Sequence, residues 1–310
     1  MGLPITWPEG KRFAFTIFDD ADNDRLVNVR PVYDFLGDLG IFSTKSVWTL
    51  AAQYEATLGG LSTEDPEYLT WARRLHERGF EIGFHGARCH SSTREETQRG
   101  LDLFREHFGS DPRSMSNHFQ NVDSIYWGAA RLSGARRWVY RAANFHASLR
   151  AEGHVTSSKY FWGDLCRDRI RYVRNFVFRD INTLAACPFM PYYDATLPFV
   201  NGWYASSEGG NIRSFNAMLT EANQDRLAEE GGACIMYAHF AKGFYVDGRL
   251  EPRFVALMRR LASLGGWFVP TGTLLDFLAE KHGGLHEITA TQRDALEWRW
   301  LLAKLLHGSS

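Results

Sequence analysis

The segment Arg12-Phe13-Ala14-Phe15-Thr16-Ile17-Phe18-Asp19-Asp20 is an apolar run that ends in two adjacent carboxylates. Such a run predicts a buried strand, and α/β folds present reactive groups at the C-terminal ends of such strands. Two carboxylates at the rim of a low-dielectric core repel each other and lose hydration. They persist where a cation, a shared proton or strong donors compensate them, so the pair points to a metal. The competing reading is that Asp19 and Asp20 open the following turn, with Asp20-Ala21-Asp22-Asn23-Asp24 as a solvated acidic loop.

The residues that follow alternate between helical and strand-like patterns, as a βα architecture requires. Val32, Phe35, Leu36 and Leu39 predict a helix from Pro31 to Leu39 that stops at Gly40, and Ile41-Phe42-Ser43-Thr44 a short strand. Asp65-Pro66 opens a helix buried through Leu69, Ala72 and Leu75 and ended by Gly79. Phe80 to Phe84 is the next strand and delivers His85; Ser92 and Thr93, followed by Glu95 and Glu96, form overlapping capping boxes for a helix through Phe108. Residues from 138 to about 229 lose this regularity and read as long rim insertions, with Cys187 to Tyr193 as an exposed aromatic segment. Regularity returns with the strand Ala233 to Ala238, which delivers His239, an amphipathic helix from Phe254 to Leu264, and a last strand, Gly266 to Pro270. Thr273 is expected to cap the next helix, and a C-terminal helix at about 291–306 presents Leu296, Trp300, Leu301 and Leu305 on one face.

At 310 residues and 45% hydrophobic content the whole chain, 1–310, is expected to form one domain. Lys+Arg of 35 against Asp+Glu of 36, with no basic block, argues against nucleic acid as a partner. No stretch approaches the ~20 apolar residues that span a bilayer, and Met1 to Pro8 lacks the pattern of an export signal, so a cytoplasmic protein is expected. Cys89, Cys166, Cys187 and Cys234 are widely spaced without a CxxC, which fits a reducing compartment. The 14% aromatic content suits either a core or a carbohydrate-facing cleft.

Three strand ends thus present Asp19/Asp20, His85 with His90, and His239. One carboxylate and two neutral imidazoles make a compact ligand set for a divalent metal that leaves positions open for water and substrate, and Asp20, His85 and His90 can supply it. Asp19 then remains to take a proton and His239 to give one. Each histidine taken alone reads more often as a packed or hydrogen-bonded structural residue than as a ligand, and it is their repetition at strand ends that points to a metal.

With these residues in place the chain resembles the polysaccharide deacetylase family, also called the NodB-homology or carbohydrate esterase 4 family. The resemblance runs from about Arg12 to Leu278 through Thr16-Ile17-Phe18-Asp19-Asp20, His85-Gly86-Ala87-Arg88-Cys89-His90-Ser91-Ser92 and Ile235-Met236-Tyr237-Ala238-His239. It implies an α/β fold, a distorted (β/α)7 barrel of the NodB-homology type. It also implies Asp19 as base, Asp20, His85 and His90 as metal ligands, and His239 as acid. The family's two metal histidines stand four positions apart, whereas His85 and His90 are five apart, so His118 is the substitute ligand to weigh, against its reading as the polar end of Met115-Ser116-Asn117. The family's third motif is absent around Arg113 to Asn121, and neither Arg88 nor Arg113 can be assigned the arginine that orients the catalytic Asp. Trp162 and Asp164 are the candidates for the Asp/Trp motif that shapes the pocket.

The expected reaction is metal-dependent removal of an N-acetyl group from an amino sugar or glycan precursor. Zn²⁺ is the first choice of ion, and Co²⁺, Ni²⁺, Fe²⁺ and Mn²⁺ fit the same donors. Two alternatives stand beside it: hydrolysis of another C–N bond such as a cyclic amide, and a catalytically impaired carbohydrate-binding barrel. The C-terminal helix could pack on its own domain or in a homo-oligomer.

Overall fold

The structure, a computed structural model, describes residues 5–56, 58–143 and 150–307. Strand β1 (Ala14–Asp19) is buried at every position, as its apolar character on both faces dictates. With β2 (Thr44–Val47), β3 (Glu81–Phe84), β4 (Ser114–Met115), β5 (Tyr172–Phe178), β6 (Gly202–Ser207) and β7 (Ala233–Ala238) it forms a barrel of parallel strands in sequence order. The barrel closes where β7 pairs with β1 over its whole length, Ala14 opposite Ala233 through Asp19 opposite Ala238. This closed seven-stranded barrel with surrounding helices is the distorted (β/α)7 architecture expected from the sequence. An extra strand joins it: β8 (Trp267–Phe268) pairs with the first two residues of β1, while β2 pairs with the last two.

Parallel register carries every strand end to the same rim. The Asp20 N–H donates to Ala238 O (2.9 Å), the His85 N–H to Val47 O (3.0 Å) and the Ser116 N–H to Phe84 O (3.2 Å), so the ladder extends just far enough to aim the residues after β1, β3, β4 and β7 into one mouth. Helix boundaries follow the sequence signals. Asp65 accepts from the Glu67 and Tyr68 N–H groups at the start of the helix Pro66–Glu77. Thr93 and Glu96 close a reciprocal capping box on Arg94–Phe108, and Gly109 ends that helix with φ 78°.

Several expectations are corrected. The second strand is Thr44–Val47 rather than Ile41–Thr44, because its polar members are satisfied inside: the Ser46 hydroxyl donates to Asp19 O (2.9 Å) and Lys45 is fully buried in an ion-pair cluster. The first helix runs Leu26–Asp38, five residues earlier than Pro31, because Asn28 caps the Arg25 N–H at 2.9 Å and the helix tolerates Pro31 inside it. Thr273 lies within the helix Thr271–Lys281 rather than capping it. The 138–229 region is not only rim: β5 and β6 lie within it, so two of the barrel strands come from the segment whose periodicity is weakest. Cys187, Met190 and Tyr192 are buried rather than exposed, with Tyr192 paired to Trp203 of β6. The C-terminal helix, Ala290–His307, buries Leu296, Trp300 and Leu301 but leaves Leu305 exposed. Trp300 sits against Tyr140 and Phe176, which docks this helix on β5 at the barrel mouth.

Candidate metal centre

Three donors converge at the rim: a carboxylate oxygen of Asp22, from the loop after β1, and ring nitrogens of His85, after β3, and His118, after β4, all within 4.8 Å of one another. Asp22 Oδ1 lies 3.2 Å from His85 Nε2 and 3.5 Å from His118 Nε2. All three side chains are buried. Trp48 walls this cluster, with its ring centre 5.5 Å from that of His85 and 5.7 Å from that of His118.

The hydrogen bonds behind the rings determine what faces the cluster. Arg174 of β5 donates to both oxygens of Asp20 (3.0 and 2.5 Å), and the Ser116 hydroxyl donates to Asp20 Oδ1 at 2.8 Å. That hydroxyl has a single proton, so its 2.8 Å contact with His85 Nδ1 requires the imidazole N–H to be the donor. The Asn121 amide nitrogen donates to the carbonyls of Arg88 and His90, which fixes its oxygen toward His118 Nδ1 at 3.1 Å; again the ring N–H donates. Both rings, when neutral, therefore aim an Nε2 lone pair at the Asp22 carboxylate. His118 Nε2 has no hydrogen-bond partner although it is buried. Burial, and then the neighbouring His85, lower the pKa of His118, which favours its lone-pair form. Acceptors facing acceptors in a buried pocket are the donor arrangement of a divalent cation, and second-sphere partners on Nδ1 are how ligating histidines are oriented. The residues fit the metal that the sequence implied.

The remaining rim groups are held in opposite charge states. Burial would raise the Asp20 carboxyl, but the Arg174 guanidinium, followed by His85 and His239, holds it below the usual carboxylate range. His239 Nδ1 donates to Gly210 O at 2.7 Å, and its Nε2 lies 2.9 Å from Asp22 Oδ2. Burial disfavours the His239 cation, yet the Asp22 carboxylate and then Asp20 raise its pKa overall. Lys242 Nζ reaches the same Asp22 oxygen at 3.1 Å. These side chains line one cavity of about 390 Å³.

The structure places the sequence candidates differently from one another. His85, His118, Asp20 and His239 meet in the cavity. Asp20 stands beside the candidate cluster, bound to Arg174, and Asp22 stands in the ligand position that the sequence gave to Asp20. His90 turns away: its ring stacks on Tyr54 (4.1 Å) and its Nε2 accepts from the Gln53 N–H at 3.0 Å. Asp19 lies below the rim, where Oδ2 accepts from Tyr33 (3.0 Å) and Lys45 (2.8 Å) and Oδ1 from the Phe240 N–H (2.7 Å). A carboxylate so saturated holds the barrel together and does not line the cavity. Trp162 is buried with its indole N–H on Asp123 O (2.6 Å), and Asp164 pairs with Arg94 at a half-exposed position. Sequence reasoning missed Asp22 and Arg174. Their signals were a second carboxylate two residues after Asp20 and a lone charge inside the aromatic, β-branched strand Tyr172–Phe178.

No family sequence model and no curated protein matches the chain. Among solved structures it is similar to a candidate polysaccharide deacetylase from Mycobacterium smegmatis, at 13% identity and TM-score 0.53, over 92% of this chain and 96% of that one. It is also similar to a candidate polysaccharide deacetylase from Pseudomonas aeruginosa PAO1 (12% identity, TM-score 0.49, 89% and 94% covered) and to Puue allantoinase (13%, 0.48, 89% and 93%). At such identities the likeness concerns the fold, and the first of these supports the (β/α)7 barrel over nearly the whole of both chains. Among the described residues, no helix is long and apolar enough to cross a membrane.

Proposed function

We propose that this protein is a metal-dependent hydrolase that removes an N-acetyl group from an amino sugar or glycan precursor. The observation that carries the reading is the pair of Nε2 lone pairs on His85 and His118 converging on Asp22, beside an ionised Asp20 and a His239 held toward its protonated form. A bound divalent ion, Zn²⁺ by donor type, supplies Lewis-acid polarisation of an amide carbonyl and acidification of water. Asp22, His85 and His118 would hold it.

The chain's own residues then divide the proton traffic. Asp20, kept as a carboxylate by Arg174 and aimed by Ser116, accepts the proton of the attacking water. His239, aligned through Gly210 O, gives a proton to the departing amine. The amide C–N bond breaks, water supplies the new C–O bond, and acetate and a free amine leave. The opposite charge states of Asp20 and His239 at neutral pH are what a base and an acid acting in sequence require. Asp19, the base that the sequence resemblance implies, lies outside the cavity lining, whereas Asp20 is part of it, so the role falls to Asp20.

Metal analysis of the wild type beside Asp22→Ala, His118→Ala and His90→Ala, coupled to acetate release from a panel of N-acetyl sugars, tests the reading. Zinc is expected to be lost from the first two variants and retained by the third. Full zinc occupancy in Asp22→Ala and His118→Ala, or a zinc-loaded wild type that releases no acetate but opens a cyclic amide, would overturn it.

A further inference from the structure

We infer that the substrate of this cavity carries an anionic group, a carboxylate or a phosphate, which Arg131 and Lys304 receive; the inference rests on the hydrolase reading above. The cavity is lined by four side-chain cations, Arg131, Arg174, Lys242 and Lys304, and by two carboxylates, Asp20 and Asp22. Arg174 is consumed by Asp20, and Lys242 reaches Asp22. The charge on Arg131 is not matched in this way.

Arg131 is only 4% exposed, yet among the described residues no carboxylate pairs with it. Its guanidinium is held between two indoles, with Trp127 at 3.8 Å and Trp300 at 4.6 Å from its central carbon. Nη1 donates to Asn175 O at 2.7 Å, which fixes the plane of the fork, and the buried Nε has no hydrogen-bond partner. A charge buried without a counterion is costly, and a planar fork immobilised by stacking is the geometry that receives an oxyanion through two parallel bonds. Lys304, from the C-terminal helix, lines the same cavity and sits over the Trp300 ring, its ammonium 5.4 Å from the ring centre.

A neighbouring cation adds to the cost of burial at each of the two groups. Burial, with Arg174 as a further repulsive neighbour, pushes Arg131 down to about 10. Burial and then Arg131 push Lys304 down to about 8, an effect that Glu208 offsets only in part. An oxyanion placed between them would relieve this repulsion at both, and a divalent ion at Asp22 would add positive charge rather than remove it. The juxtaposition is structural in origin: Trp300 docks the C-terminal helix on Tyr140 and Phe176, so the same contact that holds this helix brings Lys304 to the mouth and clamps Arg131. A neutral amino sugar uses none of this.

Isothermal titration of the zinc-loaded and the chelated full chain with three probes tests the proposal: N-acetylglucosamine, its 6-phosphate, and N-acetylmuramic acid, which carries a carboxylate. At least one anionic probe is expected to bind about tenfold or more tightly than the neutral sugar, in both metal states, and the arm that shows it identifies the anion. Arg131→Gln, and separately Lys304→Gln, should each reduce that preference severalfold with zinc content unchanged. Lys304 lies at the mouth, so its variant reads out the charge if Arg131→Gln fails to fold. Equal or absent binding of the three probes by folded wild type, or a preference unchanged in the folded variants, overturns the proposal. Zinc binding without anion preference would sink this inference alone, whereas anion preference without zinc binding would sink the hydrolase reading alone.

Discussion

Replacing Lys45 by Met probes the charge layer beneath the candidate centre. Lys45 Nζ lies 2.8 Å from Asp19 Oδ2 and 2.6 Å from Asp24 Oδ2, and none of the three side chains is exposed to solvent. Tyr33 and Tyr68 each donate a further bond, at 3.0 Å, to Asp19 and Asp24. Methionine keeps the length and most of the volume of the side chain, so packing is conserved while two carboxylates lose the cation that, among the described residues, pairs with both. Removing one partner of a buried ion pair costs about 3–5 kcal/mol, because an uncompensated charge is left behind. With about 2.1 cal/mol/K of unfolding entropy per residue, a chain of this length should lose about 5–8 °C in Tm. Calorimetric melting and urea unfolding of the wild type and Lys45→Met measure this directly, and adding Asp24→Asn should restore part of the loss by removing one of the stranded charges. Zinc content of the folded variant should stay at the wild-type level, since Asp19 and Asp24 are not ligands in this arrangement. A variant as stable as the wild type, or one that melts normally but loses its zinc, would refute the assignment of Asp19 to the scaffold.

Further outcomes follow from other contacts. Chelation should abolish acetate release and lower the Tm, because an ion that binds only the folded chain stabilises it by mass action; Asp22→Asn should erase this Tm shift, as read by melting with and without added zinc. Asp123, buried and accepting the Ser92 N–H at 3.1 Å, is pushed by burial up to about 7. The folded state therefore holds a proton that the unfolded state releases near pH 4, so stability should fall as pH rises from about 4 to 7, and Asp123→Asn should flatten that slope in pH-dependent urea melts. At Gly209 an added Cβ would lie 2.6 Å from Tyr237 O, so Gly209→Ala must shift the loop whose Gly210 O orients His239. It should cost about 1–3 kcal/mol of stability and slow turnover more than it changes KM.

Much of the scaffold was legible in the chain. Strands such as Ala14–Asp19 and Ala233–Ala238 are apolar on both faces because a parallel barrel strand is covered by core and by helix, and that pattern needs no tertiary information. Capping at Asp65 and Thr93 was equally local. Patterning failed at Thr44–Val47, where Lys45 and Ser46 are buried through partners that lie elsewhere in the sequence. It failed again over 138–229, where the strand carrying Arg174 reads as irregular because its charge is neutralised by Asp20, 154 residues away.

The sequence by itself determined that strand ends would gather carboxylates and histidines at one rim, because the order of apolar runs and turn signals is a local property of the chain. Only the tertiary structure decided which of them share a centre. Asp19 and Asp20 are neighbours in the chain, but the alternation of side chains at the end of β1 sends one to Lys45 and the other to Arg174. The sequence favours His90 and offers His118 only as a substitute; the fold stacks His90 on Tyr54 and bonds His118 to Asn121, so that one lone pair faces Gln53 and the other faces Asp22. Ligand geometry depends on distances of a few ångströms between segments far apart along the chain, and those are fixed by the closure of the barrel.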